Sequence, residues 1–131
     1  MPTGEDILQQ ALQLLGYAED WDGPSAPGRD ARLRRGLAAV NQAYCDLWYI
    51  EARGEFRPLT ALSDRVELSA RGARDILPYG TAMFLAQTEG DGDNQALYAG
   101  LYNQKRSGAE ARRQRVVSSL FGEERPCGFR S

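Results

Sequence analysis

The stretch DARLRRGLAAVNQAYCDLWYIEA, residues 30–52, decides the fold class. Leu33, Leu37, Val40, Tyr44 and Leu47 recur at a 4-3-4-3 spacing. That is the narrow apolar seam of a helix packed against other helices. Trp48 and Ile50 broaden the seam, and Gly54 is placed to end it. Arg29, Arg32, Arg34 and Arg35 crowd the first turns, where cations oppose the helix dipole. Packing against an acidic first helix, of this chain or a neighbour, is the simplest way to offset them; an external acidic partner is the other.

Such a helix is expected upstream. Thr3 is a good N-cap, and Thr3-Gly4-Glu5-Asp6 sets an acid three residues after it, a variant of the capping box. Ile7, Leu8, Ala11, Leu12 and Leu15 then mark one helical face, and Gly16 is a natural terminator. Two Pro and two Gly make residues 17–28 a loop, for which Trp21 is the candidate anchor.

Beyond Gly54 the helical period is lost over residues 55–74. Val66 and Leu68 alternate with Arg65, Glu67 and Ser69 as in a short half-buried strand. A lone strand cannot satisfy its backbone, so the segment is expected either as an extended loop held by side chains or as a strand paired with a neighbouring subunit. A third helix is expected from about Asp75, which can cap it, with Pro78 tolerated in its first turn and Ile76, Tyr79, Ala82, Met83 and Ala86 on its buried face. Gly80 and Ala82 permit close helix approach. Residues 89–94 form a tight connector in which Asp93 or Asn94 caps a fourth helix. The acids at 89, 91 and 93 lack the order of a calcium loop. The fourth helix extends to Lys105 or to Phe121, with a kink or break at Ser107-Gly108. The expected architecture is all-α: a small bundle of about four helices over residues 1–121, a long irregular segment between helices 2 and 3, and a flexible C-terminal tail over residues 122–131.

Composition narrows the chemistry. The 131 residues suit one domain, and 42% hydrophobic with 26% charged residues is an ordinary globular mix. No stretch approaches the roughly 20 apolar residues of a membrane span, and an acidic N-terminus does not suit a secretory signal, so the chain is expected to fold where it is made. There is no histidine, which removes imidazole acid–base work and His-containing triads and zinc sites. Cys45 falls in the helical apolar pattern as a buried thiol and Cys127 in the tail; two cysteines give no disulfide framework. No serine has a base to activate it, and Gly90-x-Gly92 lacks the strand and third glycine of a nucleotide loop. The expectation is a non-enzymatic protein without cofactor or metal.

The net charge of −2 is unevenly spread. Residues 1–28 carry five acids and no base, whereas residues 101–131 carry seven bases and three acids. Such polarity suits head-to-tail association or a charged partner, although solvated faces account for it equally well. Lys105, Arg106, Arg112, Arg113 and Arg115 form a basic stretch in the last helix. It fits nucleic-acid phosphates, an acidic protein or plain solvent. Of the aromatic residues Tyr44, Trp48, Tyr49, Tyr79, Phe84, Tyr98 and Tyr102, most belong to the core seams, with some at edges that a partner chain covers.

Several runs together carry a family pattern. They are Asn41-Gln-Ala-Tyr44-Cys-Asp-Leu-Trp48, the segment from Phe56 to Ser69, Ile76-Leu-Pro78-Tyr79-Gly80-Thr-Ala82-Met83-Phe-Leu85-Ala86, the Gly90 to Asn94 turn, and Tyr98-Ala-Gly-Leu101-Tyr102-Asn103-Gln-Lys105-Arg106. Over about residues 33–106 the chain resembles the head–tail connector (adaptor) proteins of long-tailed bacteriophages. The resemblance implies a small helical virion protein of the neck, assembled in the host cytoplasm. It would form a ring, usually of twelve copies, that joins the portal to the next neck or tail-completion protein and extends the DNA channel. It further implies portal or subunit contacts through Arg112, Arg113 and Arg115 of the last helix and Arg125, Pro126, Phe129 and Arg130 of the tail. The loop 54–74, including Val66 and Leu68, would be available to a neighbouring subunit. The Pro/Gly-rich 17–28 loop and the short Cys-containing tail depart from the simplest family picture. The alternative from the basic stretch is a small helical DNA-binding regulatory protein.

Overall fold

The computed structural model describes residues 1–17, 28–51 and 53–121. Four α-helices form a bundle: α1 (Gly4–Leu15), α2 (Arg29–Ile50), α3 (Leu77–Thr88) and α4 (Gly92–Phe121), with a π-helical turn at Gly72–Ile76 leading into α3. The all-α class and the helix count are as the patterning predicts. The flexible-tail expectation for residues 122–131 and the Trp21 anchor lie outside the described residues.

The bundle is built around α3. Leu77, Pro78, Gly80, Thr81, Ala82, Leu85 and Ala86 are buried, covering most of its circumference. A helix that is apolar nearly all round has to be enclosed, and α3 packs against α1, α2 and α4 alike. Its one buried polar side chain is satisfied within the helix, the Thr81 hydroxyl donating to the Leu77 carbonyl at 2.9 Å. Close approach is set by small residues. A Cβ at Gly80 would stand 2.7 Å from Tyr102 Cε1 and 2.9 Å from Ala43 Cβ, so α2, α3 and α4 converge at that glycine. Likewise a Cβ at Gly36 would meet Leu8 Cδ2 of α1 at 2.7 Å. The buried face of α2 accordingly runs Gly36, Ala39, Val40, Ala43, Tyr44, Leu47 and Ile50. Leu33 and Leu37, at the start of the predicted seam, are only partly buried, as is Cys45, which was expected inside.

The ends of α1 follow the sequence. Asp6 N–H donates to Thr3 Oγ1 and Thr3 N–H to Asp6 Oδ2, a complete capping box, and Gly16 closes the helix with φ +78°. Helix α2 stops at Ile50, before Gly54, which takes φ +94° in the turn that follows.

Three boundaries depart from expectation. The third helix does not begin at Asp75, whose side chain caps nothing. It begins near Ala70, where Ser69 Oγ accepts from Gly72 N–H at 3.0 Å. Pro78 explains the π turn: it has no N–H to give the carbonyl four residues back, and its ring collides there, so the helix widens and Leu77 N–H bonds to the Gly72 carbonyl instead. The cap of α4 is Asp91 rather than Asp93 or Asn94; Asn94 N–H and Nδ2 both donate to its carboxylate. Helix α4 runs unbroken through Ser107-Gly108. Lys105, Arg106 and Ala109 fasten that stretch to the bundle, outweighing the weak propensity of a single glycine, roughly 1 kcal/mol.

Residues 53–69 are irregular and held by side chains, the first of the two expected arrangements. Asn41 grips both backbone groups of Leu59: its Oδ1 accepts from the N–H at 2.8 Å and its Nδ2 donates to the carbonyl at 3.0 Å. Tyr44 hydroxyl accepts from Glu67 N–H, Glu51 accepts from Ser69, and Trp48 Nε1 donates to the Gly54 carbonyl. Phe56 stacks edge-on against Tyr44 and Trp48. Asp64 accepts from the Thr60 and Ala61 N–H groups, and the first residues of the chain add further bonds. Thr3 forms an isolated antiparallel bridge with Arg65, and Val66 N–H, Gly4 N–H and Glu5 N–H bond to Pro2, Asp64 and Leu62 carbonyls. Val66 and Leu68 therefore turn into this chain's own core, 0% and 4% exposed, and are withdrawn as contacts for a neighbour.

Two residues test this packing. Gly80→Ala is expected to destabilise by about 1–3 kcal/mol through overpacking. Gly108→Ala meets only the mobile end of Arg112 at 3.5 Å and is expected to stabilise by about 0.5–1 kcal/mol; urea titrations of both variants measure the difference. A pH titration tests the pin between α1 and α4, where Tyr17 hydroxyl donates to Asp91 at 2.6 Å. Burial, then the bond to Asp91 and its charge, push the Tyr17 hydroxyl up to about 12 from 10.0. Because the folded chain holds this proton more tightly than the unfolded chain, the contribution is complete below pH 10 and is lost as pH rises toward 12. Tyr17→Phe should flatten that fall in stability, leaving the slope due to Tyr44, Tyr98 and Tyr102, which burial also raises.

Candidate protein-binding surface

The basic stretch of α4 divides into two parts of different fate. Lys105 and Arg106 are used inside the molecule. Lys105 Nζ lies 4.6 Å from the centre of the Tyr79 ring. Arg106 Nε donates to Asp46 Oδ2 at 2.8 Å and its Nη2 to Oδ1 at 3.3 Å. The same Asp46 carboxylate accepts the hydroxyl of Tyr102, which is 2% exposed. Burial first, and then the bond to Asp46, raise that hydroxyl well above the ordinary tyrosine range. The trio locks the middle of α4 onto α2.

About two turns further on, the basic residues face outward. Arg113 and Arg115 are exposed and Arg112 half-buried, and none of them forms an ion pair among the described residues. Arg112 and Arg113 border a groove of about 390 Å³ between the end of α2, the π turn and α4. Its apolar lining is Ile50, Ile76, Ala109 and Val116. Val116 is 58% exposed, an apolar side chain offered to solvent. Arg71 also borders it. The one acid in the groove, Glu51, is already engaged. Burial alone would raise its carboxyl, but bonds from Ser69 and Arg53 outweigh this and hold it below the ordinary range. The groove is thus an apolar strip between arginines, suited to an acidic segment that carries an apolar side chain.

Of the residues singled out from sequence, Arg112 and Arg113 come together at this groove, and Arg115 lies outside its lining. Arg125, Pro126, Phe129 and Arg130 lie outside the described residues. Arg71, Ile50, Ile76 and Val116 were missed, because their meeting depends on the unbroken α4 and on the early helix start at Ala70. The only sequence signal for Val116 is its position four residues after Arg112, on the same helical face.

The opposite end of the molecule carries charges of both signs, with the arginines that start α2 close to the acids of the α3–α4 turn. Glu89, Asp91 and Asp93 gather at the α3–α4 turn, with Arg35 answering Glu89 at 3.1 Å. Arg35 therefore finds its counter-charge in that turn, not on α1 as the simplest reading proposed. Among the described residues no cluster of three or more acids and cysteines is arranged to hold a metal ion, and no helix is long and apolar enough to cross a membrane. Comparison with family models, curated proteins and solved structures gives no match.

Asp46→Ala would leave the buried Tyr102 hydroxyl without an acceptor. It is expected to cost about 1–3 kcal/mol, little of it from the part-exposed Arg106 ion pair. Pairing it with Tyr102→Phe should recover most of the loss in thermal melts.

Proposed function

We propose that this chain is a structural protein of the neck of a long-tailed bacteriophage, a head–tail adaptor that sits as a ring between the portal and the next neck protein around the DNA channel. The observation carrying this reading is the joint occurrence of Pro78-Tyr79-Gly80-x-Ala82 and the later Tyr102-Asn103-x-Lys105-Arg106, the most specific part of the chain's resemblance to that family. In this molecule the two runs interlock. Gly80 receives Tyr102, Tyr79 stacks against Tyr98 at 6.1 Å between ring centres, and Lys105 covers Tyr79. The interlock gives the pattern a physical reason to occur as a unit. Exposed basic residues near the end of a 30-residue helix offer a contact surface for other chains.

In this reading the portal contact belongs to Arg115 and to the tail segment with Arg125, Pro126, Phe129 and Arg130, while Arg112 and Arg113 serve contacts between subunits. The test is co-expression with a portal protein from the same genome, followed by affinity capture and electron microscopy of the product. Rings seated on the portal are expected from the full chain, and deletion of residues 122–131 combined with Arg115→Glu should reduce capture at least tenfold. Failure of the full chain to bind the portal would overturn the proposal. Duplex DNA binding at physiological salt, with a salt slope corresponding to several phosphates, would favour the DNA-binding regulator instead.

A further inference from the structure

The groove bordered by Arg71, Arg112 and Arg113 has a candidate occupant within the same sequence. Residues 17–22 read Tyr-Ala-Glu-Asp-Trp-Asp, three acids around one large aromatic residue. This is the only stretch of the chain in which a tryptophan is flanked on both sides by acids. An apolar strip of Ile50, Ile76, Ala109 and Val116 takes such a ring, and the flanking arginines take its neighbours.

The segment cannot reach the groove of its own molecule. Tyr17 is tied by its hydroxyl to Asp91, at the start of α4. Arg113 lies 22 residues further along that unbroken helix, about 33 Å at 1.5 Å per residue. From Tyr17 to Trp21 are four residues, which span about 14 Å when fully extended. Tyr17 is thus fixed at the start of α4, whereas the groove lies toward the other end of that helix. Complementary partners fixed at opposite ends of a molecule join successive copies head to tail.

We propose that the groove between the π turn and α4 binds residues 17–22 of a second copy of this chain, with Trp21 on Val116 and Glu19, Asp20 and Asp22 against Arg71, Arg112 and Arg113. The inference rests on the ring reading above, for which it supplies the contact between neighbours.

The probe is a synthetic peptide of residues 17–24, titrated into the full chain by calorimetry. Binding is expected, weakening with added salt. It should fall at least tenfold for Val116→Glu and for Arg113→Glu, both at exposed positions that leave the core intact, as circular dichroism melts would verify. The chain itself is then examined by sedimentation at rising concentration. Val116→Glu alone and Trp21→Ala/Asp20→Lys/Asp22→Lys alone should both stay monomeric, and their mixture should stop at a dimer, because one sound groove and one sound segment remain. Absence of peptide binding at millimolar concentration, unchanged binding by the groove variants, or a mixture that assembles beyond the dimer would each overturn the proposal. So would duplex DNA displacing the peptide and losing its own binding in Val116→Glu. Portal-seated rings formed by chains that fail the peptide test would refute this contact and leave the neck reading standing; peptide binding by a chain that ignores the portal would do the reverse.

Discussion

Helix α3 is the constraint from which the rest of the architecture follows. Its side chains from Leu77 to Ala86 have no polar stripe wide enough to face water, so burying it needs neighbours on every side. Three helices supply them, and how near they come is decided by the residues that lack side-chain bulk. Gly80 is the tightest point, where Tyr102 and Ala43 meet across the helix. Tyr102 enters the core by its ring but keeps its hydroxyl bonded to Asp46, which in turn binds Arg106. One close approach thereby fixes three helices and sets the direction in which α4 leaves the bundle. Even the π turn belongs to this packing. Pro78 is buried against the core, and the helix that carries it widens by one residue where a regular α-helix would collide.

The segment between α2 and α3 shows a second constraint, that buried backbone must be hydrogen-bonded. Residues 53–69 have too few neighbours of their own kind to form a sheet. Polar side chains on α2 do the work of a partner strand: Asn41 matches both groups of Leu59, Tyr44 meets Glu67 and Glu51 meets Ser69. The first residues of the chain complete the set through Pro2, Thr3 and Gly4. With those bonds made, Val66 and Leu68 are held inward.

These two constraints explain what the sequence discloses and what it hides. Local rules were legible. Thr3, Asp6 and Gly16 bound α1 as caps do, and the apolar repeats of α1, α2 and α3 give the helix count. Long-range pairings were not. The bridge from Thr3 to Arg65 joins residues sixty apart, and neither flank has the alternation of a real strand beyond Val66 and Leu68. Ser107-Gly108 reads as a break because propensity is local, whereas the contacts that keep α4 straight come from Asp46 and Tyr79, far away in sequence. Asp75 looks like a cap only until Ser69 is seen to start the helix earlier. The surface was half legible for the same reason. Arg112 and Arg113 announce themselves as a charge cluster, but Val116, Ile76 and Arg71 join them only after α4 is continuous and the π turn is placed.

A groove this small limits how its ligand is held. Stable, specific interfaces between proteins usually bury roughly 1,200–2,000 Å², and one aromatic side chain with a few charged neighbours covers only part of that. Its arginines are exposed or half-buried, so their ion pairs are screened and individually weak. Such a contact suits an assembly in which many copies meet at once, since closing a ring makes the last contact intramolecular and adds strength without any new interaction. It also suits order in time. Single copies stay apart while dilute, and a surface that gathers them side by side raises their effective concentration enough to join them. The same weakness guards against uncontrolled growth, which is the standing hazard of a head-to-tail interface whose two halves lie on one molecule.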